Sequence, residues 1–438
     1  MKEIKLKYYI PILLLSLFSF NTYCREKDKN ELNRLNKFIL VNTSHLDNLY
    51  EEITVKNKQM AIIHIYSNYP DYKWVEAQGE GIACIDDVAR AAVFYSKYYK
   101  ITHEKAYLRK AKLLTEFILY MQADNGYFNN FIEEGYSINK TYKTSLAQPD
   151  WWSWRAVWAL SETYTLFNKT DIEFAKRIYQ SMNKVFSELE KKLPLKKDYR
   201  IVDGIERPAW LMSETGADQT SILILAIVNY LHFKLDMVLF YYLKDLCEGI
   251  TLMQAGDKNT FPYYAFMSWE NLWHAYGNSQ AYALLKAYEI TQNESYKNKA
   301  LLEIDHFYPY LLKEKFLNYF TIKKNKWKIV QNDQVKFAQI AYGFRPMIFA
   351  SIEAGIITGK KSYTELAGKI CMWFFGKNVA GEIMYDVKSG ICYDGINDEK
   401  DVNKNSGAES TIEALLSMSA IEQNKESFSF VKNHLERK

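Results

Sequence analysis

A couplet of two unlike helices recurs along this chain, and it limits the fold more than any other feature. From Asp150 the sequence DWWSWRAVWALSETYTLF is apolar or small on nearly every side. The next segment, DIEFAKRIYQSMNKVFSELEKK, carries one stripe at Ile172, Ala175, Ile178, Met182, Val185 and Leu189 and is charged elsewhere. A helix that is apolar all round must be covered on all sides, and a striped helix covers it from outside. The same couplet stands earlier: Ile85 to Ile101 is mostly apolar, and its successor has a stripe at Tyr107, Ala111, Leu114, Ile118 and Met121. Four more follow, with first helices expected to begin near Glu214, Glu270, Gln334 and Ser406 and second helices near Asp236, Glu294, Lys361 and Glu426. Counted from Ile85 and Asp150, the first helices are spaced by about 65, 64, 56, 64 and 72 residues.

Within a couplet the link is a tight polar turn such as Ile101-Thr102-His103-Glu104 or Asn168-Lys169-Thr170-Asp171, with an aromatic anchor soon after (Tyr107, Phe174, Tyr296, Tyr363). Between couplets the links are long and rich in Gly, Asp, Asn and aromatics. Six pairs with an inner apolar ring and an outer amphipathic one predict an all-α fold, closed as an (α/α)6 toroid of six helical hairpins. An open solenoid would have a shorter period, and a TIM barrel would need eight strands between its helices. In such a ring every link between couplets emerges on one rim, which is where a site is expected. A β-like stretch from Ala61 to Ile65 precedes the ring, and Glu31 to Ile53 reads as an extra helix packed against it. The expected division is a targeting segment over residues 1–24, an extension over 25–74 and the toroid over 75–438.

Composition works by exclusion. With 56 Lys+Arg spread among 52 Asp+Glu, no basic cluster is available for a nucleic-acid partner. An apolar content of 48% excludes disorder, and five cysteines in 438 residues exclude a disulfide scaffold. Residues Met1 to Lys7 hold three lysines before the mostly apolar run from Tyr8 to Phe20, which is too short to span a bilayer and reads as an export signal. The exit Asn21-Thr22-Tyr23-Cys24 leaves two readings open. Lipidation of Cys24 would anchor the protein to a membrane, whereas ordinary cleavage before Arg25 would release it; either places it in the periplasm or cell envelope. The other cysteines, Cys84, Cys247, Cys371 and Cys392, have no C-x-x-C spacing and read mainly as buried thiols.

Several short motifs fail on context. Gly355 to Ser362 is one residue short of a phosphate loop and follows a helix, Gly79-Glu80-Gly81 lacks a third dinucleotide glycine, and Gly277 to Ala281 departs from a nucleophile elbow at its last position. The seven histidines show no metal spacing. Neither a cofactor nor a metal is called for.

What remains is a set of acids at the starts of inner helices and in the rim loops: Glu80, Asp86 and Asp87; Glu214 and Asp218; Glu270; Asp386, Asp394 and Glu409. Each alone is explained by capping and the helix dipole. As a set on one rim, beside Trp and Gly, they suit glycosidic cleavage, which typically uses two carboxyl groups. Trp151, Trp152, Trp154, Trp210, Trp269, Trp273 and Tyr393 lie near the same rim, where aromatic faces can stack on sugars, although half or more are expected in the core, as are Trp158 and Trp373.

The segments Asp86-Asp87-Val88-Ala89-Arg90-Ala91, Tyr120 to Phe131 and Trp152 to Leu160 resemble bacterial members of the six-hairpin glycosidase-like superfamily. So do Trp373 to Asn378, Tyr385-Asp386, Gly390 to Gly395 and Asn405 to Thr411, with Ser406 standing where that pattern leads one to expect Gln. The resemblance covers about residues 75 to 423 and is to the all-helical domain that bacteria encode alone or beside glycosyltransferase domains. It implies the toroid and carbohydrate metabolism without choosing a reaction. The expected function is an exported glycoside hydrolase acting on an oligosaccharide. Its carboxylate pair is Glu409 and Asp87, with Asp86, Glu214 and Asp394 as substitutes, and Arg90, Trp152, Trp273, His274 and Arg345 as substrate contacts. Two alternatives stay open. One is a polysaccharide lyase or uronate epimerase, with Tyr342 or His274 as base and Arg207 and Arg345 neutralising a carboxylate. The other is a non-catalytic glycan-binding envelope protein.

Overall fold

A computed structural model of the chain describes residues 39–76, 78–191, 193 and 195–436. The targeting segment, Cys24 and the beginning of the expected Glu31–Ile53 helix lie outside the described residues. From Val41 onward the chain is one compact unit.

A short helix, α1 (Ser44–Leu49), is followed by the hairpin β1 (Tyr50–Val55) and β2 (Lys58–Ile63). The extra helix expected through Ile53 is therefore only six residues long here. Lys56 and Asn57 both have positive φ, the geometry of a two-residue hairpin turn, and the β-branched run Ile53-Thr54-Val55 before them favours strand over helix. The β-like stretch from Ala61 falls on the end of β2.

Six helical hairpins follow. They are α2 (Ile85–Thr102) with α3 (Lys105–Tyr120), α4 (Trp151–Thr170) with α5 (Ile172–Glu190), and α6 (Ala217–Phe233) with α7 (Met237–Leu252). The fourth pairs α8 (Gln280–Thr291) with α9 (Glu294–Leu302), which runs on through a π-helical turn into α10 (Tyr308–Lys313). The last two are α11 (Arg345–Thr358) with α12 (Lys361–Cys371), and α13 (Ala408–Gln423) with α14 (Lys425–Leu435). The first member of each pair packs against the next around the circle, α2 on α4, α4 on α6, α6 on α8, α8 on α11 and α11 on α13. Finally α13 packs back on α2, so the ring closes.

Local chemistry explains the tight turns. Asp171, Asp236, Asn293 and Asn424 each accept a backbone N–H of the outer helix they precede. Every residue of α6 from Ala217 to Val228 is buried, as expected for an inner helix, whereas α5 buries one face only. Ile172, the first residue of the expected α5 stripe, is instead exposed at the turn.

The inner helices α8 and α11 begin about ten residues later than the couplet pattern predicts. Short strands of the loop-bearing rim occupy the difference. The sheet pairs there are β3 (Tyr66–Asn68) with β4 (Lys73–Val75), β5 (Ala83–Cys84) with β6 (Phe131–Ile132), and β7 (Tyr199–Val202) with β8 (Ile205–Pro208). Two three-stranded sheets complete the rim: β9 (Leu272–His274), β10 (Tyr319–Asn325) and β11 (Lys328–Val335); then β12 (Gln339–Ile340), β13 (Gly395–Asp398) and β14 (Asp401–Asn403). Gln334, expected to open a helix, lies in β11. Cys84, Cys247, Cys371 and Cys392 are buried and free.

Lys97 of α2 and Glu162 of α4 form a 3.0 Å ion pair between adjacent inner helices. Burial opposes the Glu162 charge, but Lys97 and Lys100 outweigh it and bring the carboxyl down to about 2. A lowered carboxyl pKa contributes stability above the unfolded value, lost as pH falls toward the folded one. Glu162→Gln should therefore cost about 2 kcal/mol at neutral pH. Its deficit against the unaltered protein in urea unfolding should shrink as pH falls from about 4.5 to about 2.

Candidate active site

The first turns of α2, α6 and α13 bring Asp86 and Asp87, Asp218, and Glu409 to the loop-bearing rim. Beneath them three arginines are buried. Arg90, 2% exposed, donates from Nη1 to Asp87 Oδ1 at 2.7 Å and from Nη2 to Glu409 Oε2 at 2.8 Å, and its Nε lies 3.3 Å from Glu413 Oε1. Arg345 donates from Nε to Glu413 Oε2 at 2.5 Å. Arg155 donates to Asp86 and, at 2.9 Å, to the Tyr342 hydroxyl. The Arg90, Arg155 and Arg345 guanidinium carbons stand 4.8, 5.1 and 5.4 Å from the centre of the Tyr342 ring. Tyr342, from a 3-10 turn just before α11, is thus enclosed by cations from α2, α4 and α11.

The electrostatics follow from this matching. Burial opposes the Arg90 charge, yet Glu409, Asp86, Asp87 and Glu413 together raise its pKa well above the ordinary value. For Arg155, burial and Arg90 oppose the charge, and Asp86 and the Tyr342 oxygen overcome them. Asp87 is itself 3% exposed, and its other oxygen accepts from the Cys84 thiol at 3.2 Å. Desolvation pushes its carboxyl up to about 6, Arg90 pulling it down and Glu409 and Asp86 adding to the rise.

Above this layer the groups reach solvent. The Glu409 side chain is 41% exposed, and that of Asp86 is 21% exposed. Asp86 Oδ1 is buried and has no hydrogen-bond partner, although Oδ2 is held by Arg155. Trp151 lies under the Arg155 guanidinium at 5.0 Å. Gly277 lets the backbone pass close by: a Cβ there would sit 2.9 Å from Trp151 and 3.3 Å from the Tyr342 hydroxyl, at a φ of +71°. His274 has both ring nitrogens engaged, Nε2 2.9 Å from Asp218 Oδ2 and Nδ1 2.6 Å from the Tyr276 carbonyl. Its ring stacks at 3.7 Å on the half-exposed Tyr276. The Tyr276 hydroxyl feels Asp218, Tyr342 and Glu409, and burial first, then those charges, raises its pKa. Asp150, which caps α4, is raised chiefly by burial, with Asp86 and Asp218 adding. Every hairpin of the ring, or the link that leads into it, contributes to this constellation.

Of the residues singled out in the sequence, the structure brings together Asp86, Asp87, Arg90, Arg345 and Glu409 in one network, with His274 beside it through Tyr276. Asp394 is placed differently: it accepts from the Gly407 N–H at 2.8 Å and the Ser410 hydroxyl at 2.6 Å, which caps α13. Glu214 is exposed and pairs with Arg200, which also reaches Glu270 at 3.3 Å. Trp152 is buried with its indole N–H donating to the Phe128 carbonyl at 2.8 Å, and Trp273, 1% exposed, stacks on Phe320. Neither indole presents a face to solvent. Sequence reasoning passed over Arg155, Tyr276 and Glu413. The signal for one of them was present: a charge in a helix segment covered on all sides, as Arg155 is in WWSWRAVWAL, must find a buried partner.

No protein-family model and no curated protein sequence matches the chain. Solved structures do. A sugar epimerase from a ruminal bacterium superposes with a TM-score of 0.61 at 15% identity, covering 90% of this chain and 98% of that one. The cellobiose 2-epimerase of Bacillus thermoamylovorans B4167 gives 0.59 at 13% identity, over 91% of this chain and all of the other. An inactive variant of the α-1,6-mannanase of Salegentibacter sp. HEL1_6, in complex with α-1,6-mannotetrose, gives 0.53 at 11% identity, over 86% and 96%. At such identities the likeness is one of fold, and the fold is the six-hairpin (α/α)6 toroid.

Proposed function

We propose that this protein is a carbohydrate-active enzyme that hydrolyses an oligosaccharide at the loop-bearing mouth of the ring. One observation carries the reading: Asp86, whose Oδ1 is buried and unpartnered, is held by Arg155, the half-exposed Glu409 is held by Arg90, and the two guanidinium groups stand over one Tyr342 ring. A buried acceptor without a partner calls for an explanation, and a sugar hydroxyl or the attacking water supplies one. In this reading Glu409 and Asp86 divide the two roles, one delivering a proton to the leaving glycosidic oxygen. The other takes the proton of the water that attacks the anomeric carbon. Asp87 replaces neither, because both its oxygens are engaged below the surface; it positions Arg90, which positions Glu409. Trp151 and Tyr276 offer aromatic surface for the sugar. Export to the periplasm or envelope is part of the proposal and rests on residues 1–24 alone.

Epimerisation is the second reading. Its support is the superposition on two sugar epimerases over about nine-tenths of this chain and the His274–Asp218 pair beside the same mouth. The two reactions separate in one experiment. The protein is incubated in D2O with neutral and acidic oligosaccharides, and products are read by chromatography and NMR. Hydrolysis yields new reducing ends with no carbon-bound deuterium, whereas epimerisation yields an isomer of unchanged length, deuterated where the carbon-bound proton was exchanged. No product of either kind across the panel would defeat both.

Glu409→Gln and Asp86→Asn should each lower kcat by about 100-fold or more while leaving far-UV circular dichroism unchanged. Retained turnover in both variants would remove them from the mechanism. The state of Asp87 gives a further expectation. Below about 6 its carboxyl takes up a proton and loosens its hold on Arg90. The kcat/KM profile should therefore fall on the acid side with an apparent pKa of about 6, and Asp87→Asn should be less active throughout and lack that limb. A raised carboxyl pKa also means that this group's contribution to stability declines as pH rises from 3.8 to about 6, since the folded state holds the proton more tightly.

A further inference from the structure

Four buried arginines line the rim side of the ring, and one of them differs from the rest. Arg90, Arg155 and Arg345 each hold a carboxylate. Arg207 does not. It lies in β8, directly opposite Arg200 of β7, and the two have divided fates. Arg200 is half-exposed and pairs with Glu214 and Glu270. Arg207 is 2% exposed, and its hydrogen bond runs from Nε to Asn271 Oδ1 at 2.9 Å. Its Nη2 is buried with no partner, and among the described residues Arg207 forms no ion pair. Asn271 is itself fixed, because its Nδ2 donates to the Val202 carbonyl at 2.7 Å, so its oxygen is turned toward the guanidinium. The group is oriented, desolvated and lacks a counter-charge. Burial alone, with no acid acting on it, draws its pKa down to about 10. A buried charge without a partner is among the costliest arrangements a fold can hold, and water restores a hydrogen bond but not the charge balance.

We infer that Arg207 is the centre of an anion-binding site between the β7–β8 hairpin and Asn271, and that its ligand is a carboxylate or a comparably small monovalent anion. The planar fork of a guanidinium suits a carboxylate's two oxygens, and with Nε committed to Asn271 the terminal nitrogens are left for the ligand. Two sources share this chemistry: a free small anion, or the carboxylate of an acidic sugar. The second connects to the mouth, because Asn271 and His274 bracket β9, a strand distance of about 10 Å. That arm rests on the carbohydrate reading; the anion site itself does not.

The test is a binding experiment that needs no turnover. Thermal unfolding of the full chain is followed with sodium formate, sodium glucuronate or glucose, alongside Arg207→Met and Arg207→Lys, which see the same ionic strength. A bound anion should raise the Tm of the unaltered protein by about 3 °C at concentrations near 100 times Kd. The shift should vanish in Arg207→Met and weaken about tenfold in apparent affinity in Arg207→Lys, which keeps the charge without the fork. Without anion Arg207→Met should be at least as stable as the unaltered protein, because it removes an unpaired buried charge. A larger shift with glucuronate than with formate assigns the site to an acidic sugar, and equal shifts assign it to a free anion. If the unaltered protein and Arg207→Met respond alike to both salts, the site does not exist. That result would leave hydrolysis or epimerisation of neutral sugars untouched, just as failure of turnover would leave anion binding intact.

Discussion

Three guanidinium groups taken out of water near the axis of the toroid demand carboxylates, and much of the rim is arranged to supply them. The inner helices provide the arginines because the axis is the place where their side chains converge. The acids come from the same helix or from a neighbouring inner helix, Asp86 and Asp87 from α2 and Glu409 and Glu413 from α13. Arg90 ties Asp87 on its own helix to Glu409 and Glu413 on α13, so a single side chain couples ring closure to the placement of the most exposed acid. Removing one partner from such a buried pair typically costs about 3–5 kcal/mol, because the other charge is left uncompensated. The network is better read as a device for holding geometry than as a source of stability.

The same constraint separates the acids into two kinds. Glu413 and Asp87 are buried and engaged by arginines, while Glu409 and Asp86 each give one oxygen to an arginine, the other oxygen of Asp86 being buried without a partner. The proposed hydrolysis requires the second kind. Asp394 and Glu214, which in sequence look no different, are spent elsewhere, one on capping α13 and one on an exposed arginine. Position at or before an inner helix therefore does not fix the role of an acid; the identity of its partner does.

This is also where legibility in the sequence ends. The hairpins were readable because helical polarity is a local property with a fixed period, and α4 with α5 shows it without ambiguity. The strands before α8 and α11 were not, since two- to eight-residue ladders on a rim bury too little to leave an alternating pattern. Arg90, Glu409 and Asp86 were legible as candidates through motif and placement. Their pairing was not, because Arg90 and Glu409 are 319 residues apart and nothing local encodes which carboxylate meets which guanidinium. Trp152 and Trp273 show the converse failure: an indole at the top of an inner helix or in a rim loop looks like a platform until its N–H or its ring is seen to be occupied within the core.

The division of labour between ring and rim follows from these observations. Inner helices covered on all sides cannot vary without opening cavities, so the ring offers an inert, rigid base. The long links carry what can change. His274, Tyr276 and Gly277 lie in the link before α8, Tyr342 in the link before α11, and the β7–β8 hairpin with Arg207 in the link before α6. In the proposed reading the inner helices set the acids by packing, and recognition of a substrate falls to the links. Arg207 illustrates the consequence, since a cation lodged in a link can be left without a counter-charge in a way that the ring, with every arginine matched, does not permit. Among the described residues Arg207 is the buried arginine without a counter-charge, and it is therefore the place to look for a bound anion.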